Sequence, residues 1–120
     1  MTISDPRPAM FESQRPWGRF QQFTLNEQTT VKIITVNPGE RLSLQAHTKR
    51  AEFWQVVSGR VDITVGNEVW TAEEGEQIWV GQGVVHRMGN SSSVPGRILE
   101  IGYGDFDEDD IVRIEDDYQR

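Results

Sequence analysis

The sequence predicts an all-β domain of the sandwich or barrel kind. From residue 15 onward, short segments rich in β-branched and aromatic residues are each closed by Gly, Asn or Pro, which is the pattern of many short strands. No convincing amphipathic helix interrupts this pattern. The length of 120 residues favours one domain, large enough to bury a core without disulfide bonds.

Nine segments carry the strand pattern, and several end at turns with a clear chemical basis. The predicted strands are residues 18–25, 29–36, 41–47, 52–57, 60–65, 68–71, 77–80, 85–88 and 97–103. Pro38-Gly39 combines a fixed φ with a permissive one, and Gly66-Asn67 suits a tight hairpin. We expect an irregular arm over 1–14 and a single domain over 15–120, which ends in an acidic segment, 105–120. The only helical possibility, 109–118, lacks a clean apolar face.

Composition and charge exclude several classes of protein. The chain has no cysteine, so any metal must be bound by His, carboxylate or amide oxygen. We find no apolar run near 18 residues and no secretory leader, so we expect a cytoplasmic protein with no membrane partner. The net charge of -7 is concentrated in residues 105–117, and the rest has no basic stripe. Nucleic acid is therefore not an expected partner.

The two histidines of the chain lie in strand-like segments flanked by glycine turns. Gln45 and His47 are two residues apart, so both project from one face of a strand. Glu52 opens the next predicted strand, where a short reversal brings its carboxylate back over that face. His86 supplies a further imidazole from another strand. One amide oxygen, two imidazoles and one carboxylate suit a divalent transition metal with open positions for substrate.

Both histidines lie in blocks that resemble the two motifs of the cupin superfamily, G-x5-H-x-H-x4-E-x6-G and G-x5-P-x-G-x2-H-x3-N. The first block runs over 39–59 with Gln45 at the first His position, and the second over 75–90 with Gly81 at the Pro position. More narrowly, residues 15–18, 42–47, 50–54, 56–59 and 108–118 resemble the cupin domain of type II mannose-6-phosphate isomerases. That domain usually forms the C-terminal part of a bifunctional mannose-1-phosphate guanylyltransferase, and Gln at the first ligand position is a trait of this narrower family.

The resemblance implies a double-stranded β-helix, a jelly-roll barrel whose mouth holds the metal. It implies that zinc is bound by Gln45, His47, Glu52 and His86, although manganese, iron, cobalt and nickel stay open because such sites accept several metals. It also implies interconversion of mannose-6-phosphate and fructose-6-phosphate, and a homodimer. The sequence has no nucleotidyltransferase domain, so we expect guanylyl transfer from a separate partner chain.

Aldose-ketose isomerisation needs a polarised carbonyl, a base and a group that binds the phosphate. Glu52 is the nearest carboxylate, and Lys49 or a hydroxide held by the metal are alternative bases. Arg50 lies in the best-matching segment, and a guanidinium suits a sugar phosphate. The catalytic candidates are therefore Glu52, Lys49 and Arg50. The predicted substrate-binding residues are Arg50, Arg41, Arg87 and Trp54, the last because it shares a strand face with Glu52.

Three residues depart from the family pattern and leave other functions open. Thr48, Lys49 and Phe53 stand where the family commonly has histidines, and Phe53 cannot exchange a proton. One alternative is a non-catalytic module that binds metal or sugar phosphate and partners a separate guanylyltransferase. Another is a different cupin enzyme, acting on another sugar or as an oxygenase. Gln45 weighs against the oxygenase, because the usual iron triad is two His and one carboxylate.

Overall fold

The computed structural model describes residues 2–118, in which eleven strands and one short 3-10 helix, Arg7–Ala9, are found. The strands are β1 Phe11–Arg15, β2 Gly18–Gln22, β3 Thr29–Val36, β4 Leu44–Ala46, β5 Arg50–Ser58, β6 Val61–Val65, β7 Glu68–Ala72, β8 Gln77–Val80, β9 His86–Gly89, β10 Gly96–Gly104 and β11 Val112–Glu115. Within this described part, no helix has the length and apolar character needed to span a bilayer.

Two larger antiparallel sheets pack face to face. One has the strand order β3-β10-β5-β8 and the other β11-β4-β9-β6-β7, while β1 and β2 form a separate hairpin. Trp54 and Ile98 from the four-stranded sheet lie in one buried cluster with Ile63 and Met88 from the five-stranded sheet. Each sheet therefore buries one face against the other, as in a jelly roll. The prediction of an all-β fold is confirmed.

All nine predicted strands are present, and those at 29–36 and 77–80 have the predicted bounds. The predicted strand over 41–47 is regular only over β4, because Arg41 makes just an isolated bridge to Gly89. Two strands were not expected. Residues 11–14, placed in an irregular arm by sequence, belong to β1, which pairs with β2 along its whole length. The helical possibility over 109–118 is wrong, because residues 112–115 form β11 and pair with β4.

The alternation of side chains along β5 separates the interior of the sandwich from a second apolar layer. Glu52 and Trp54 point between the sheets, whereas Phe53 points to the outer face of the four-stranded sheet. There Phe53 packs with Ile101 and Tyr103, and N-terminal residues including Ile3, Met10 and Phe23 cover this cluster. Phe53 is 0% exposed as a result. The N-terminal residues thus cover the outer face of the four-stranded sheet.

Replacing Phe53 with Ala should destabilise the fold by about 3–5 kcal/mol, because it removes a fully buried ring and leaves a cavity. Phe11 is a matched control, since its ring is 47% exposed, and Phe11→Ala should cost less than about 1 kcal/mol. Urea unfolding of both variants measures the difference. Equal destabilisation by the two substitutions would show that the outer cluster is not a cohesive part of the core.

Candidate metal centre

Three potential metal ligands meet between the two sheets. His47 follows β4, Glu52 lies on β5 and His86 opens β9, so the residues come from three separate stretches of chain. One ligand atom from each lies within 4.8 Å of those of the other two. All three residues are buried, with exposed fractions of 2–4%. Two imidazoles and a carboxylate at this spacing are a suitable donor set for a divalent transition metal.

The hydrogen bonds of both imidazoles direct the Nε2 atoms toward this centre. His47 Nδ1 lies 2.6 Å from the Asp110 carbonyl oxygen, and His86 Nδ1 lies 2.9 Å from the Val84 carbonyl oxygen. Because a carbonyl only accepts hydrogen bonds, each Nδ1 carries the proton and each neutral ring keeps a lone pair on Nε2. Burial lowers the pKa of His86 below its ordinary value, despite the opposing effect of the Glu52 charge, and this favours the neutral, ligating form.

The Glu52 carboxylate is held by two donors. Trp54 Nε1 donates to Oε1 at 3.0 Å, and Arg50 Nε donates to Oε2 at 3.0 Å. Arg50 also donates from Nη2 to His47 Nε2 at 3.1 Å. Because Arg50 donates to both atoms, Glu52 Oε2 and His47 Nε2 carry no proton. Metal ligands must be unprotonated. The residues present therefore fit a metal ion, with Arg50 beside the ligand atoms.

Gln45 reaches the same space. It is the cross-strand partner of His86 in the β4–β9 pair, and directly paired residues present their side chains on one face. Its side chain lines the cavity that also contains His47 and Glu52. The structure thus brings together all four residues that the resemblance implies as ligands.

The cavity around the centre has a volume of about 200 Å³. Trp54 and Arg50 line it, in agreement with their predicted proximity to the ligands. Trp54 is also part of the buried core cluster, and its indole meets the His86 ring at a centroid distance of 5.4 Å. Nine further lining residues were not among the candidates chosen from sequence, and five of them are Lys32, Glu100, Glu108, Ile111 and Arg113.

Glu100 is the most unusual of these additional residues, since it is a carboxylate with 6% exposure. It is the cross-strand partner of Lys32 on β3 and of Trp54 on β5. Burial, reinforced by the neighbouring Glu52 charge, raises the pKa of Glu100 to about 8. The alternation of segment 97–103 places Glu100 on the same face as Ile98, so a charged residue on an apolar face was the signal available in the sequence.

The acidic C-terminal segment forms one wall of the site. The Asp110 carboxylate accepts hydrogen bonds from the backbone nitrogens of Thr48 and Lys49, and these bonds lower its pKa to about 2. The same residue presents its carbonyl to His47. Phe106 lies under the Arg50 guanidinium, which is 3.9 Å from the ring centroid. The segment therefore positions both a candidate ligand and the cation beside it.

Gly102 provides the space for Phe106. A Cβ at position 102 would lie 2.7 Å from Phe106 Cδ2, closer than side-chain atoms approach one another. Lys32 also packs against Phe106, with Nζ 4.4 Å from the ring centroid. The same Nζ lies 2.6 Å from Glu108 Oε1. A side chain at position 102 would therefore displace the ring that supports both cations.

Two predicted substrate-binding residues, Arg41 and Arg87, lie outside the cavity. They line a different surface depression and bind the C-terminal segment instead. Arg41 pairs with Asp117 at 2.6 Å, and both arginines reach Glu115 at 3.0 Å. Arg87 follows His86 directly on β9, so strand alternation sends its side chain to the opposite face. These guanidiniums are engaged in attaching the segment to the five-stranded sheet.

The three departures from the family pattern also lie away from the cavity. Lys49, a predicted catalytic candidate, is exposed and is not a lining residue. Thr48 is exposed and donates from its Oγ1 to Asp110 at 2.8 Å. Phe53 is on the outer face of the four-stranded sheet, in the apolar cluster described above. None of these three positions therefore removes a group from the wall of the candidate site.

Comparisons with known proteins place this geometry in context. Residues 7–116 match the family described as mannose-6-phosphate isomerase C-terminal. The xanthan biosynthesis protein XanB of Xanthomonas campestris is 44% identical over 107 residues, covering 88% of this chain and 23% of that protein. The mannose-1-phosphate guanylyltransferase ManC of Salmonella typhimurium is 42% identical over 110 residues, 91% of this chain and 23% of that protein. The chain thus spans about a quarter of the length of these relatives.

The solved structures agree on the fold. A Klebsiella pneumoniae protein with a double-stranded beta-helix domain superposes with a TM-score of 0.65 at 21% sequence identity. The match covers 75% of this chain and 77% of that one. The expected double-stranded β-helix of the cupin type is confirmed.

Replacing His86 with Ala should weaken zinc binding at least about a hundredfold. Loss of a ligand should exceed the 10–100-fold that is typical of outer residues which only orient ligands. Calorimetric titration of the metal-stripped protein with zinc measures the effect, and Asp109→Ala is an exposed acidic control. Unchanged zinc affinity in the His86 variant would contradict the ligand assignment.

Asp110→Ala should weaken zinc binding by about tenfold, because it releases the backbone that orients His47. Asp109→Ala is again the matched control. It removes a neighbouring carboxylate that does not contact the loop after β4. The same titration applies, with circular dichroism to verify folding. If both variants weakened zinc binding equally, the loss of charge, and not the orientation of His47, would explain the weakening.

Proposed function

The chain belongs to the family of mannose-6-phosphate isomerase C-terminal domains, and from this premise we propose that it is a metal-dependent aldose-ketose isomerase. The proposed reaction interconverts mannose-6-phosphate and fructose-6-phosphate. One observation carries the proposal: the buried His47, Glu52 and His86 side chains converge at a polar cavity. Family membership supplies the class of substrate, and the cavity supplies groups suited to the chemistry.

The reaction moves hydrogen within one molecule. The proton on C2 of mannose-6-phosphate passes to C1, and the hydroxyl proton on O2 passes to O1, so no external oxidant or reductant is needed. A divalent metal bound by His47, Glu52 and His86, with Gln45 as proposed fourth ligand, supplies Lewis-acid polarisation of the sugar carbonyl. We propose zinc, as the family resemblance suggests.

Glu100 is the group that we assign to proton transfer between C1 and C2. The cavity-lining carboxylates are Glu52, Glu100 and Glu108. Glu52 belongs to the ligand set, and Glu108 is paired with Lys32. Glu100 lines the cavity outside the ligand set, is hydrogen-bonded to Glu52, and has a pKa raised to about 8, so it can hold and release a proton near neutral pH. Lys49 is exposed and does not line the cavity, and it has no part in this assignment.

Arg50 acts as a positioning residue in this proposal. Its guanidinium donates to Glu52 and His47 and also to the Asp107 carbonyl oxygen, at 3.1 Å. A guanidinium does not lose its proton under these conditions, so it serves poorly as a base. Its positive charge compensates for the buried carboxylates and favours negative charge on the reacting sugar oxygens. Trp54 holds Glu52 from the other side.

The contacts of Arg50 also favour a second candidate function. They occupy the Glu52 Oε2 and His47 Nε2 lone pairs, which are the atoms that a metal needs. A non-catalytic module that binds sugar phosphate without a metal, and works beside a separate guanylyltransferase chain, is consistent with that arrangement. Metal binding is the property that separates the two candidates.

We also propose that the protein is a cytoplasmic homodimer that pairs through β3. This strand is at the edge of the four-stranded sheet, and an uncovered edge is prone to pair with another strand. Val31 and Ile33 on β3 are 56% and 48% exposed. Pairing with a second copy through β3 would bury these two apolar side chains.

The first experiment is turnover of mannose-6-phosphate by protein stripped of metal and resupplied with zinc, manganese, cobalt, nickel or iron(II). We expect metal-dependent turnover in the wild type, and at least a hundredfold lower kcat in Glu100→Gln, because proton transfer contributes about 10²–10⁴-fold. The variant retains the shape of the side chain and removes its ability to accept a proton.

Glu108→Gln is the matched control, since it changes a carboxylate at the same cavity that is already paired with Lys32. It should retain kcat within about tenfold. Zinc titration of both variants checks that the metal centre is intact. Absence of turnover with every metal would overturn the isomerase proposal, and absence of metal binding in the same titrations would favour the module that binds sugar phosphate without a metal.

A further inference from the structure

Arg113 is a guanidinium at the cavity wall that is not engaged by an anion. Three cationic side chains line the cavity, namely Lys32, Arg50 and Arg113. Lys32 is paired with Glu108, and Arg50 is paired with Glu52. Arg113, in contrast, makes no ion pair or hydrogen bond with its side chain among residues 2–118. Its donors are therefore available to a ligand.

Strand pairing fixes the position of Arg113 relative to the candidate metal ligands. Arg113 on β11 is the cross-strand partner of Gln45 on β4, and Gln45 is the partner of His86 on β9. Neighbouring strands lie about 4.8 Å apart, so two steps separate the Arg113 and His86 backbones by about 10 Å. A ligand in the cavity can thus contact the metal centre at one end and the guanidinium at the other.

A break in the β11 register separates Arg113 from the acidic residue two positions later. Residues two apart on a regular strand share a face, but the β4–β11 pairing shifts between Arg113 and Glu115. Such a bulge re-aims the side chains that follow it. Glu115 accordingly pairs with Arg41 and Arg87 outside the cavity, while Arg113 lines the cavity with Ile111.

Two acidic residues of the C-terminal segment bind groups other than Arg113. The Asp110 carboxylate holds the backbone of Thr48 and Lys49, and Asp117 holds Arg41. Among the described residues of this segment, Arg113 is thus left without an ion pair. A guanidinium in this situation matches the planar, bidentate hydrogen-bonding geometry of a phosphate group.

We propose that Arg113 is the phosphate-recognition residue of this site. It binds the phosphoryl group of a hexose 6-phosphate whose carbonyl end lies at the centre formed by His47, Glu52 and His86. The inference rests on the proposed function for the identity of the substrate. Through Arg113, β11 would select phosphorylated sugars over neutral ones.

Sorbitol 6-phosphate is the probe, because it carries the phosphate and hydroxyl groups but has no carbonyl and cannot isomerise. Calorimetry with the zinc-loaded full chain measures its affinity for the wild type, Arg113→Gln and Arg97→Gln. Arg97 is the matched control, since it is an exposed arginine on β10 that does not line the cavity. We expect at least tenfold weaker binding in Arg113→Gln only, with partial recovery in Arg113→Lys. Neutral sorbitol should not distinguish the proteins.

Two results would overturn the assignment: no binding of sorbitol 6-phosphate by the wild type, or equal affinity in wild type and Arg113→Gln. Folding is checked by thermal unfolding, which should change little because every residue of β11 is exposed. Parallel turnover assays separate this inference from the proposed function. Turnover with an unchanged KM in Arg113→Gln removes the Arg113 assignment alone, whereas Arg113-dependent phosphate binding without turnover removes only the isomerase activity.

Discussion

Burial of the Glu52 carboxylate is the constraint on which the rest of this site depends. Glu52 is only 2% exposed, and an ionised carboxylate in such surroundings is costly unless it is paired and hydrogen-bonded. The compensation comes from Arg50 and Trp54, each of which donates a hydrogen bond at 3.0 Å. Both donors lie on β5 at positions that share a face with Glu52, so the strand supplies the charge and much of its compensation together.

Compensation of Glu52 in turn explains why the acidic C-terminal segment is ordered. Arg50 needs further partners, and the segment provides the Asp107 carbonyl oxygen and the Phe106 ring. His47 obtains its orienting contact from the Asp110 carbonyl oxygen in the same stretch. A segment with few apolar residues is thus held by polar contacts to the site and by pairing of β11 with β4. Its acidic composition indicates the presence of charge, but not these individual contacts.

Strand periodicity predicted the all-β class, and the family resemblance implied the jelly roll and the ligand set. Neither could supply the contacts between distant strands. The spacing of Gln45 and His47, and that of Glu52 and Trp54, placed each pair on one face of a strand. β11 was missed although Val112-Arg113-Ile114-Glu115 alternates apolar and polar residues, because the run is only four residues long and lies inside an acidic segment. Glu100 was missed because its proximity to Glu52 results from the pairing of β10 with β5. Arg87 was misplaced for another reason: proximity in sequence to His86 was given more weight than alternation.

The departures at Thr48, Lys49 and Phe53 look different once the two faces of β5 are distinguished. By residue type alone, loss of histidines near the ligands suggests loss of catalytic groups. Phe53, however, packs under the N-terminal residues on the outer face, and the loop that carries Thr48 and Lys49 contacts Asp110 mainly through backbone nitrogens. A backbone donor is present whatever the side chain, so substitutions in this loop preserve most of the contacts that hold His47. None of the three positions lines the cavity, so a motif mismatch at these positions is by itself a weak argument against the chemistry of the site.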